Sequence, residues 1–326
     1  MAKYLVTGGA GFIGSHIAEA LLMEGYQVRI LDNFSSGRRE NLRDIQAAFP
    51  STLEIIEGDI RDRKACERGV SGLDFVFHEA AQISVPQSIH DPETTQEVNI
   101  RGTLNLLLAC KKAGIKRLVL ASSTSIYGDS PNEKDALKPK KETLAPGPLS
   151  PYALSKLVGE YYCRLFSNLY DLPAVALRYF NVFGPRQDPN SEYAAVIPKF
   201  IERLLQEASP VIYGDGRQSR DFIYVADVVQ ANLRACHQTG IAGEVFNVAS
   251  GCSVTLLQLL AHLKKIVKSD QAAIFAPARP GDIRYSRADI RKAQKLLGFQ
   301  PEMGFRQGLK ATVDYTKKAM NGLSLR

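Results

Sequence analysis

The sequence has 326 residues, of which 45% are hydrophobic and 23% charged, and this composition excludes a disordered or fibrous chain. The formal net charge of +7 comes from basic residues dispersed along the chain, so it does not predict nucleic-acid binding. No apolar run reaches the length of a membrane span, the N-terminus lacks the layout of a signal peptide, and the five cysteines form no Cys-x-x-Cys pair. These features argue against a zinc module or a disulfide scaffold and favour a reduced, cytoplasmic enzyme without a metal site.

The first half of the chain alternates between apolar, β-rich runs and stretches of helical periodicity. The β-rich runs span residues 3–7, 27–32, 53–59, 74–80, 117–123 and 173–180. The helical stretches span residues 14–24, 93–113 and 151–170. Near-continuous apolar strands that alternate with helices predict an α/β fold with a doubly wound parallel sheet, of the Rossmann type, covered by helices on both faces.

The second part of the chain has a looser pattern. Proline and glycine interrupt it in FGPRQDPNS, YGDGRQSRD and APARPGD. Helices are predicted at residues 195–207, 225–237, 255–268, 289–297 and 305–319. The pattern predicts a smaller, loop-rich α/β region that supplies ligand contacts above the sheet.

A glycine-rich turn, TGGAGFIG (7–14), follows the first strand and opens the first predicted helix. Its glycines allow a tight turn and the close approach of a pyrophosphate to backbone N–H groups at the helix N-terminus: Gly8, Gly9, Gly11 and Gly14. Asp32 ends the second strand, where a carboxylate accepts hydrogen bonds from the ribose hydroxyls of NAD. The strand, turn, helix and acid together predict a dinucleotide site.

Asp32 also bears on which dinucleotide binds. A carboxylate at this position repels the 2′-phosphate of NADP, whereas the nearby Arg38 and Arg39 would favour that phosphate. With Asp32 in place, we predict that the cofactor is NAD. Asp59, at the end of the third strand, is either a contact to the adenine or a plain turn aspartate.

Tyr152 and Lys156 lie four residues apart in LSPYALSKLVGEYY (149–162), at the start of a predicted helix. This spacing places the two side chains on one helix face, about 5–6 Å apart. Tyrosine has an unperturbed pKa of about 10, and a nearby ammonium group is expected to lower it. The pair then predicts a proton acceptor for an alcohol, although Tyr-x-x-x-Lys alone is more often an ordinary solvated helix face.

The neighbouring motifs favour a catalytic pair. The segment LASSTSIYGD (120–129) ends the fifth strand at the carboxyl edge of the sheet, where ligands bind in such folds. Ser123 in this segment can hydrogen-bond a substrate hydroxyl or the Tyr152 oxygen, or it can simply cap a turn. The order of the NAD turn, the strand-five serine and the Tyr-x-x-x-Lys helix predicts a catalytic group of Ser123, Tyr152 and Lys156.

These motifs resemble those of the extended short-chain dehydrogenases/reductases of the nucleotide-sugar epimerase and dehydratase type. The likeness runs from TGGAGFIG through SSTSIYG, SPYALSK and LRYFNVFGPRQDPN to YGDGRQSRDFIYVADV and RPGDIRYSRADIRKA, nearly the whole chain. It implies an NAD-binding Rossmann domain of residues 1–180 and 224–250. It also implies a nucleotide-sugar-binding domain of residues 181–223 and 251–326.

The resemblance implies further contacts to NAD and a partner chain. The NAD contacts extend beyond the turn glycines and Asp32 to Phe12, Ile13, Asn33, Ser35, Ser36, Gly37, Asp59, Ile60, Ala80, Ala81, Gln82, Asn99, Tyr152, Lys156 and Tyr179. The partner is a second copy of the chain, in a homodimer built on the helices at 93–113 and 151–170. Neither a nucleic acid nor a membrane is expected as a partner.

The residues after Ser123 narrow the reaction that the resemblance implies. Related dehydratases and decarboxylases carry acids here that drive elimination or later steps, whereas this segment reads Ser-Thr-Ser-Ile-Tyr (123–127). What remains is reversible oxidation at C4 of a sugar. The segment RYFNVFGP (178–185) is similar to that of UDP-hexose 4-epimerases, and its Asn181 stands where uronate epimerases more often have threonine.

The same resemblance places the UDP-sugar against the second part of the chain. Arg220 and Arg279 would clamp the diphosphate by charge-assisted hydrogen bonds, and Asp282 would accept hydrogen bonds from the uridine ribose. Either arginine alone would also suit a solvated loop. Further substrate contacts are implied at Ser84, Ser123, Ser125, Tyr152, Asn181, Ala195, Val196, Tyr213 and Ser286.

Ser286 stands at the position that, by this resemblance, limits substrate size. A bulky tyrosine at this position of 4-epimerases narrows the pocket around C2, whereas a serine leaves room for an N-acetyl group. Tyr285 is adjacent, so a shift of one residue in register would put a tyrosine in the pocket instead. A serine here is also compatible with a simple helix start.

The function implied is an NAD-dependent 4-epimerase that interconverts UDP-GlcNAc and UDP-GalNAc, and also UDP-Glc and UDP-Gal. Tyr152 would take the C4 hydroxyl proton, Ser123 would hold the oxygen, and Lys156 would bind the nicotinamide ribose. Hydride would return to the opposite face of a 4-keto sugar, which inverts C4. The alternatives are a UDP-uronate 4-epimerase acting on UDP-GlcA or UDP-GlcNAcA, a 4-ketoreductase, and a non-catalytic NAD or nucleotide-sugar sensor.

Overall fold

The computed structural model describes residues 2–129, 136–188, 195–278 and 283–322. The strands are β1 (Lys3–Thr7), β2 (Gln27–Asp32), β3 (Leu53–Glu57), β4 (Phe75–His78), β5 (Arg117–Ser123), β6 (Ala174–Tyr179), β7 (Asn181–Phe183), β8 (Val211–Tyr213), β9 (Ser219–Arg220), β10 (Phe222–Tyr224), β11 (Val245–Val248), β12 (Val254–Thr255) and β13 (Ile274–Ala276). The helices are α1 (Phe12–Met23), α2 (Glu40–Ala48), α3 (Arg63–Val70), α4 (Val85–His90), α5 (Pro92–Gln96), α6 (Thr103–Ala113), α7 (Pro151–Leu169), α8 (Val196–Leu205), α9 (Val225–His237), α10 (Leu256–Val267), α11 (Arg291–Leu297) and α12 (Phe305–Met320).

A parallel sheet of seven strands forms the centre of the molecule, in the order β11-β6-β5-β4-β1-β2-β3. The order reverses between β1 and β4, which is where ligands bind in open α/β sheets. The predicted doubly wound Rossmann fold is confirmed, with six strands at the expected places. The seventh strand, β11, was not predicted, nor were the short helices α2, α3 and α4.

Helices cover both faces of this sheet because its strands carry apolar residues on each side. On one face, α1 and α9 pack with Val6 and Leu177. On the other face, α3, α6 and α7 pack with Leu5 and Val76. Each face of the sheet is thereby removed from water, as near-continuous apolar strands require.

A separate hydrophobic core lies in the second part of the chain, between α8, α10 and α12. It includes Phe183, Phe200, Leu259 and Leu309. Three strand pairs accompany it, β7 with β10, β8 with β13, and β9 with β12. This core falls among residues assigned to the predicted smaller domain, whose boundaries stay a prediction.

The helical stretch predicted at 93–113 is interrupted. It consists of α5, a π-helical segment at Glu97–Gly102, and α6. Such π-helical segments are rare and occur frequently at functional sites. Asn99, a predicted NAD contact, lies within this segment.

A buried ion pair ties α7 to the sheet. Arg178 of β6 donates to both carboxylate oxygens of Glu160 on α7, at 2.9 Å and 2.7 Å. The hydroxyl of Ser122, in β5, also donates to Glu160. Because α7 carries Tyr152 and Lys156, this pair fixes the helix against the strands that end at the predicted site.

The described ranges contain neither a membrane-spanning helix nor a cluster of metal ligands. None of their helices is long and apolar enough to cross a membrane. No group of three or more His, Cys, Asp or Glu side chains in them could hold a metal ion.

Candidate active site

The glycine-rich turn between β1 and α1 is tightly packed. Gly8 has φ +68°, and a Cβ atom there would lie 2.6 Å from the backbone nitrogen of Ala80. A Cβ atom on Gly14 would overlap the carbonyl oxygen of Gly8. Larger residues are therefore excluded, and the N-terminus of α1, with Gly11 as its N-cap, stays open at the carboxyl edge of the sheet.

A cleft of about 420 Å³ opens beside this turn. Its wall contains most of the predicted NAD contacts, namely Gly8, Gly11, Phe12, Ile13, Gly14, Asp32, Asn33, Ser35, Ser36, Gly37, Asp59, Ile60, Ala80, Ala81 and Gln82. Asn99 and Lys156 line a smaller pocket that shares Ala80 and Ala81 with the cleft. The turn, the cleft and its polar wall fit a dinucleotide in size and chemistry.

Asp32 lies at the end of β2, 6% exposed, and faces this cleft. Its carboxylate accepts hydrogen bonds from the backbone N–H groups of Ala10, at 2.9 Å, and Phe34, at 2.8 Å. Burial raises the pKa of Asp32, and the two N–H groups oppose that shift. A Cβ atom on Gly37 would lie 2.8 Å from the carboxylate, so a larger residue there would press on Asp32.

The two arginines near Asp32 are engaged by carboxylates. Arg38 lies 3.7 Å from Glu40 and 3.5 Å from Asp188, and Arg39 lies 2.6 Å from Glu57. The Arg39 guanidinium also lies 3.9 Å from the centroid of the Phe34 ring. Both arginines are exposed, so these ion pairs do not decide between NAD and NADP, and the carboxylate of Asp32 at the cleft is what favours NAD.

Asp59 lies in a turn at the wall of the cleft, and its contact with the adenine stays a prediction. It lines the cleft, and it also accepts hydrogen bonds from Arg61 and from Asn33, at 2.8 Å. The Arg61 side chain is the main reason that the pKa of Asp59 is lowered to about 2. Asp59 is therefore a turn aspartate that stays ionised at the cleft wall.

Tyr152, Lys156 and Ser123 come together where β5 meets the start of α7. Lys156 is 7% exposed, and its Nζ donates to the carbonyl oxygen of Ala121 at 2.8 Å. Burial lowers the pKa of Lys156 to about 8. Ser123 also accepts a hydrogen bond from the N–H of Ser125 at 3.2 Å, so it caps a turn and faces Tyr152 at once.

The expected effect of Lys156 on Tyr152 is not what the structure shows. Burial raises the pKa of Tyr152, and hydrogen bonding with Ser123 opposes this shift. Lys156 Nζ lies 5.9 Å from the Tyr152 ring centroid and is turned towards Ala121. The prediction of a lowered tyrosine pKa from the lysine alone was wrong, because the spacing gives the common helix face but not the burial.

Asn99 joins the wall of the cleft to the catalytic helix. Its side chain accepts from the N–H of Gln82 at 2.7 Å and donates to the carbonyl oxygen of Gln82 at 2.9 Å. It also donates to Ser155 Oγ on α7 at 2.9 Å. The π-helical segment thus places an amide between the loop after β4 and the residue next to Lys156.

Tyr179 lies at the end of β6, directly opposite Ser123 in the sheet register. Its hydroxyl donates to Glu79 Oε1 at 2.9 Å and accepts from Asn232 Nδ2 at 2.7 Å. Glu79 and Asn232 were not singled out from the sequence. A charged residue just after an apolar strand, in FVFHEAA, was the available signal for Glu79.

On the substrate side, two predicted serines differ in their surroundings. Ser125 Oγ is buried and has no hydrogen-bond partner among the described residues. Ser84 accepts from the N–H of Gln87 at 3.1 Å and caps α4. Ser125 is therefore the better placed of the two to bind a ligand hydroxyl.

Asn181, Arg220 and Ser286 lie on neighbouring backbone segments. Asn181 pairs with Phe222 in the β7–β10 register, two residues from Arg220. Ser286 is 7% exposed, and its N–H donates to the carbonyl oxygen of Ser219 at 3.1 Å. Tyr285 is half-buried, with the Arg284 guanidinium 5.7 Å from its ring centroid. Ser286 is the more buried of the two, and its contact with the substrate stays a prediction.

Asp221 holds these segments together. Its carboxylate accepts from the N–H groups of Ser250 and Gly251, at 2.8 Å and 3.1 Å, and from the N–H of Ala288 at 3.1 Å. Asp221 thus lies between Arg220 and the backbone that follows Ser286. No motif or spacing in the sequence selects Asp221.

The structure describes three of the five remaining predicted substrate contacts. Ala195 immediately precedes α8, Val196 begins it, and Tyr213, 37% exposed, ends β8. Arg279 and Asp282 lie outside the described residues.

Known proteins match this chain along most of its length. The NAD dependent epimerase/dehydratase family matches residues 4–249. The chain belongs to this family. A putative UDP-glucose 4-epimerase of Methanocaldococcus jannaschii is 40% identical over 315 residues, 96% of this chain and 98% of that protein.

Solved structures of other family members are also similar. The UDP-N-acetylglucosamine 4-epimerase of Methanobrevibacter ruminantium M1, in complex with UDP-N-acetylmuramic acid, is 44% identical with a TM-score of 0.91, covering 98% of this chain and 99% of that chain. The UDP-glucuronic acid 4-epimerase of Bacillus cereus, in complex with UDP-glucuronic acid and NAD, is 34% identical with a TM-score of 0.88, covering 97% and 99%.

Membership of the family confirms three predictions. The chain is an extended short-chain dehydrogenase/reductase of the epimerase type, it is an NAD-dependent isomerase, and its cofactor is NAD. In this family member, the residues that would hold NAD are those of the glycine-rich turn, the cleft wall and Lys156. When bound, NAD supplies a reversible hydride acceptor.

Proposed function

We propose that this family member is a UDP-sugar 4-epimerase that interconverts UDP-GlcNAc and UDP-GalNAc, and also UDP-Glc and UDP-Gal. Its relatives include 4-epimerases of UDP-glucose, UDP-N-acetylglucosamine and UDP-glucuronic acid, so the reaction is common to them and the sugar differs. The observation that carries the choice of sugar is Ser286, a small buried residue one position from Tyr285. It leaves room for the N-acetyl group at C2.

Three of the described side chains have separate roles in the proposed reaction. Tyr152, as phenolate, takes the C4 hydroxyl proton, and Ser123 holds the C4 oxygen. Lys156, whose pKa burial lowers to about 8, would bind the nicotinamide ribose, and the positive charge that favours the Tyr152 phenolate would come with the oxidised nicotinamide. The Ser123–Tyr127 segment holds no carboxylate, so it lacks the acids that drive elimination in the related dehydratases. The reaction is then a reversible transfer of the C4 hydride, for which bound NAD would be the acceptor and then the donor, and return to the opposite face of the 4-keto sugar would invert C4.

Nuclear magnetic resonance of the purified protein with single UDP-sugars tests this proposal. UDP-GlcNAc and UDP-Glc should each convert to a mixture with the C4 epimer without added reductant and without net absorbance change at 340 nm. Net absorbance change would instead indicate a 4-ketoreductase. No conversion of any UDP-sugar would indicate a sensor.

A UDP-uronate 4-epimerase is the second candidate, favoured by the similar Bacillus cereus enzyme. Asn181, half-buried in β7, argues against this candidate, because uronate epimerases more often have threonine at the matching position. UDP-GlcA and UDP-GlcNAcA belong in the same resonance experiment. Conversion of either one faster than both neutral sugars would replace our proposal with this candidate.

Replacing Ser286 with tyrosine should shift the sugar preference. We expect kcat/KM for UDP-GlcNAc to fall about 10–200-fold relative to UDP-Glc, because the added ring fills the space for the N-acetyl group. Kinetics with both sugars measure this ratio. Ser286→Ala, which removes only the hydroxyl, is the control and should leave the ratio within a few-fold. An unchanged ratio in Ser286→Tyr would contradict the proposed position of the pocket wall.

We also propose a homodimer that uses α7. Leu154, Tyr161, Leu165 and Leu169 are 50%, 51%, 47% and 65% exposed, and their spacing places them along one side of that helix. Light scattering should give twice the mass of the chain, and the mass of one chain would contradict this.

We further propose a cytoplasmic location, since all five cysteines are free and four of them are buried.

A further inference from the structure

Glu79 is a half-buried acidic residue that the reaction described above does not use. It follows β4 directly and lines the cleft for NAD. One of its carboxylate oxygens accepts from the Tyr179 hydroxyl at 2.9 Å, and that hydroxyl accepts from Asn232. Glu79 is therefore held in one orientation at the end of the sheet where Ser123 and Tyr179 are paired.

No cation neutralises this carboxylate by direct contact. Among the residues that the structure describes, no Lys, Arg or His nitrogen lies within 4 Å of it. Burial raises the pKa of Glu79 to about 7, and the charge of Lys156 together with the Tyr179 hydrogen bond opposes that shift. Conversely, Glu79 raises the pKa of Lys156 against the effect of burial.

The other titratable groups around Glu79 contribute little charge near neutral pH. Burial lowers the pKa of His78, the preceding residue, to about 3, so its ring is neutral. Burial raises the pKa of Tyr179 on β6 and of Tyr152 on α7, so both are neutral without a further positive charge. On α9, the side chain that contacts this group is the uncharged Asn232. Lys156 is thus the ionised partner of Glu79 in this part of the site.

We propose that Glu79 sets the balance between the two redox states of the bound cofactor by favouring NAD⁺ over NADH. Oxidised nicotinamide carries a positive charge that the reduced ring lacks. A carboxylate in the same desolvated cleft therefore stabilises the oxidised state selectively. An epimerase that binds its substrate in the alcohol form needs the oxidised state at the start of every turnover.

A competition experiment tests this role without measuring turnover. The protein is equilibrated with mixtures of NAD⁺ and NADH of known ratio, and the bound nucleotides are separated and quantified. The variant Glu79→Gln keeps an oxygen that accepts from Tyr179 and removes the charge. At pH 8, we expect the preference for NAD⁺ over NADH to fall about tenfold in Glu79→Gln.

The pH dependence provides a second readout with a definite sign. The raised pKa of Glu79, about 7, means that the wild-type side chain is ionised above this pH and protonated below it. The difference between wild type and Glu79→Gln should therefore be present at pH 8 and be lost by about pH 5.5. Lys156 is an ammonium in both proteins at pH 5.5. At pH 8 it keeps less of its charge in Glu79→Gln, because Glu79 raises the pKa of Lys156, so the tenfold change is the net of the lost carboxylate and this smaller, opposite effect.

Glu67→Gln is the matched control, since Glu67 is a half-exposed carboxylate on α3 that pairs with Lys112. It should not change the preference. If Glu79→Gln weakens binding of NAD⁺ and NADH by the same factor, Glu79 only supports Tyr179, and our inference is overturned. It is equally overturned if the preference at pH 8 is that of the wild type.

Discussion

Replacing Tyr152 with phenylalanine should reduce turnover by about 10²–10⁴-fold, because the variant lacks the only proton acceptor that we assign to the C4 hydroxyl. Ser123 interacts with the Tyr152 hydroxyl and is expected to hold the same substrate oxygen. Lys156 cannot substitute as the acceptor, since its Nζ is committed to the carbonyl of Ala121 at 2.8 Å. Initial rates of UDP-GlcNAc conversion, followed by resonance spectroscopy, measure the loss.

The control for this variant lies at the opposite edge of the sheet. Tyr26 immediately precedes β2, and its ring centroid lies 5.0 Å from that of Tyr4, so Tyr26→Phe should retain the wild-type rate. Both variants should contain as much bound NAD as the wild type, because the aromatic ring remains in Tyr152→Phe and only its hydroxyl is lost. A Tyr152→Phe protein that retains most of its turnover would remove Tyr152 from the reaction.

The sequence predicted the sheet because six of its strands are long apolar runs separated by helices. Strand β11 has four residues, too few for its apolar pattern to predict a strand. Helices α4 and α5, of six and five residues, are too short to show helical periodicity. The π-helical segment at Glu97–Gly102 has wider turns, with i→i+5 hydrogen bonds, and a search for a period of 3.6 residues does not predict it. These features depend on packing against the rest of the chain.

The candidate site, too, was predicted from the sequence only in part. Motif spacing located Gly8, Asp32 and Lys156, because the chemistry of a dinucleotide requires those residue types at those places. Motif spacing did not predict the raised pKa of Tyr152, because burial by segments distant in the sequence causes that shift. Glu79 and Arg178 were missed because a charged residue in an apolar run shows its partner only after folding.

Arg178→Met should lower the free energy of unfolding by about 3–5 kcal/mol, because it leaves Glu160 as an uncompensated buried charge. The two side chains of the pair are 5% and 3% exposed, so water cannot replace the lost partner. Denaturant unfolding at saturating NAD measures the change. The hydroxyl of Ser122 would remain as a donor to Glu160, and a single neutral donor does not neutralise a buried carboxylate.

The double variant Arg178→Met/Glu160→Gln separates the charge effect from the loss of packing. It removes both charges and keeps an acceptor for Ser122, so it should recover most of the stability lost in Arg178→Met. If the double variant is as unstable as the single one, packing of the guanidinium over the Tyr127 ring, 4.7 Å from its centroid, is the larger contribution. Because Ser122 precedes Ser123, the single variant should also lose activity under conditions where it remains folded, and the double variant should regain it. The buried pair would then position the catalytic serine and the catalytic helix through one carboxylate.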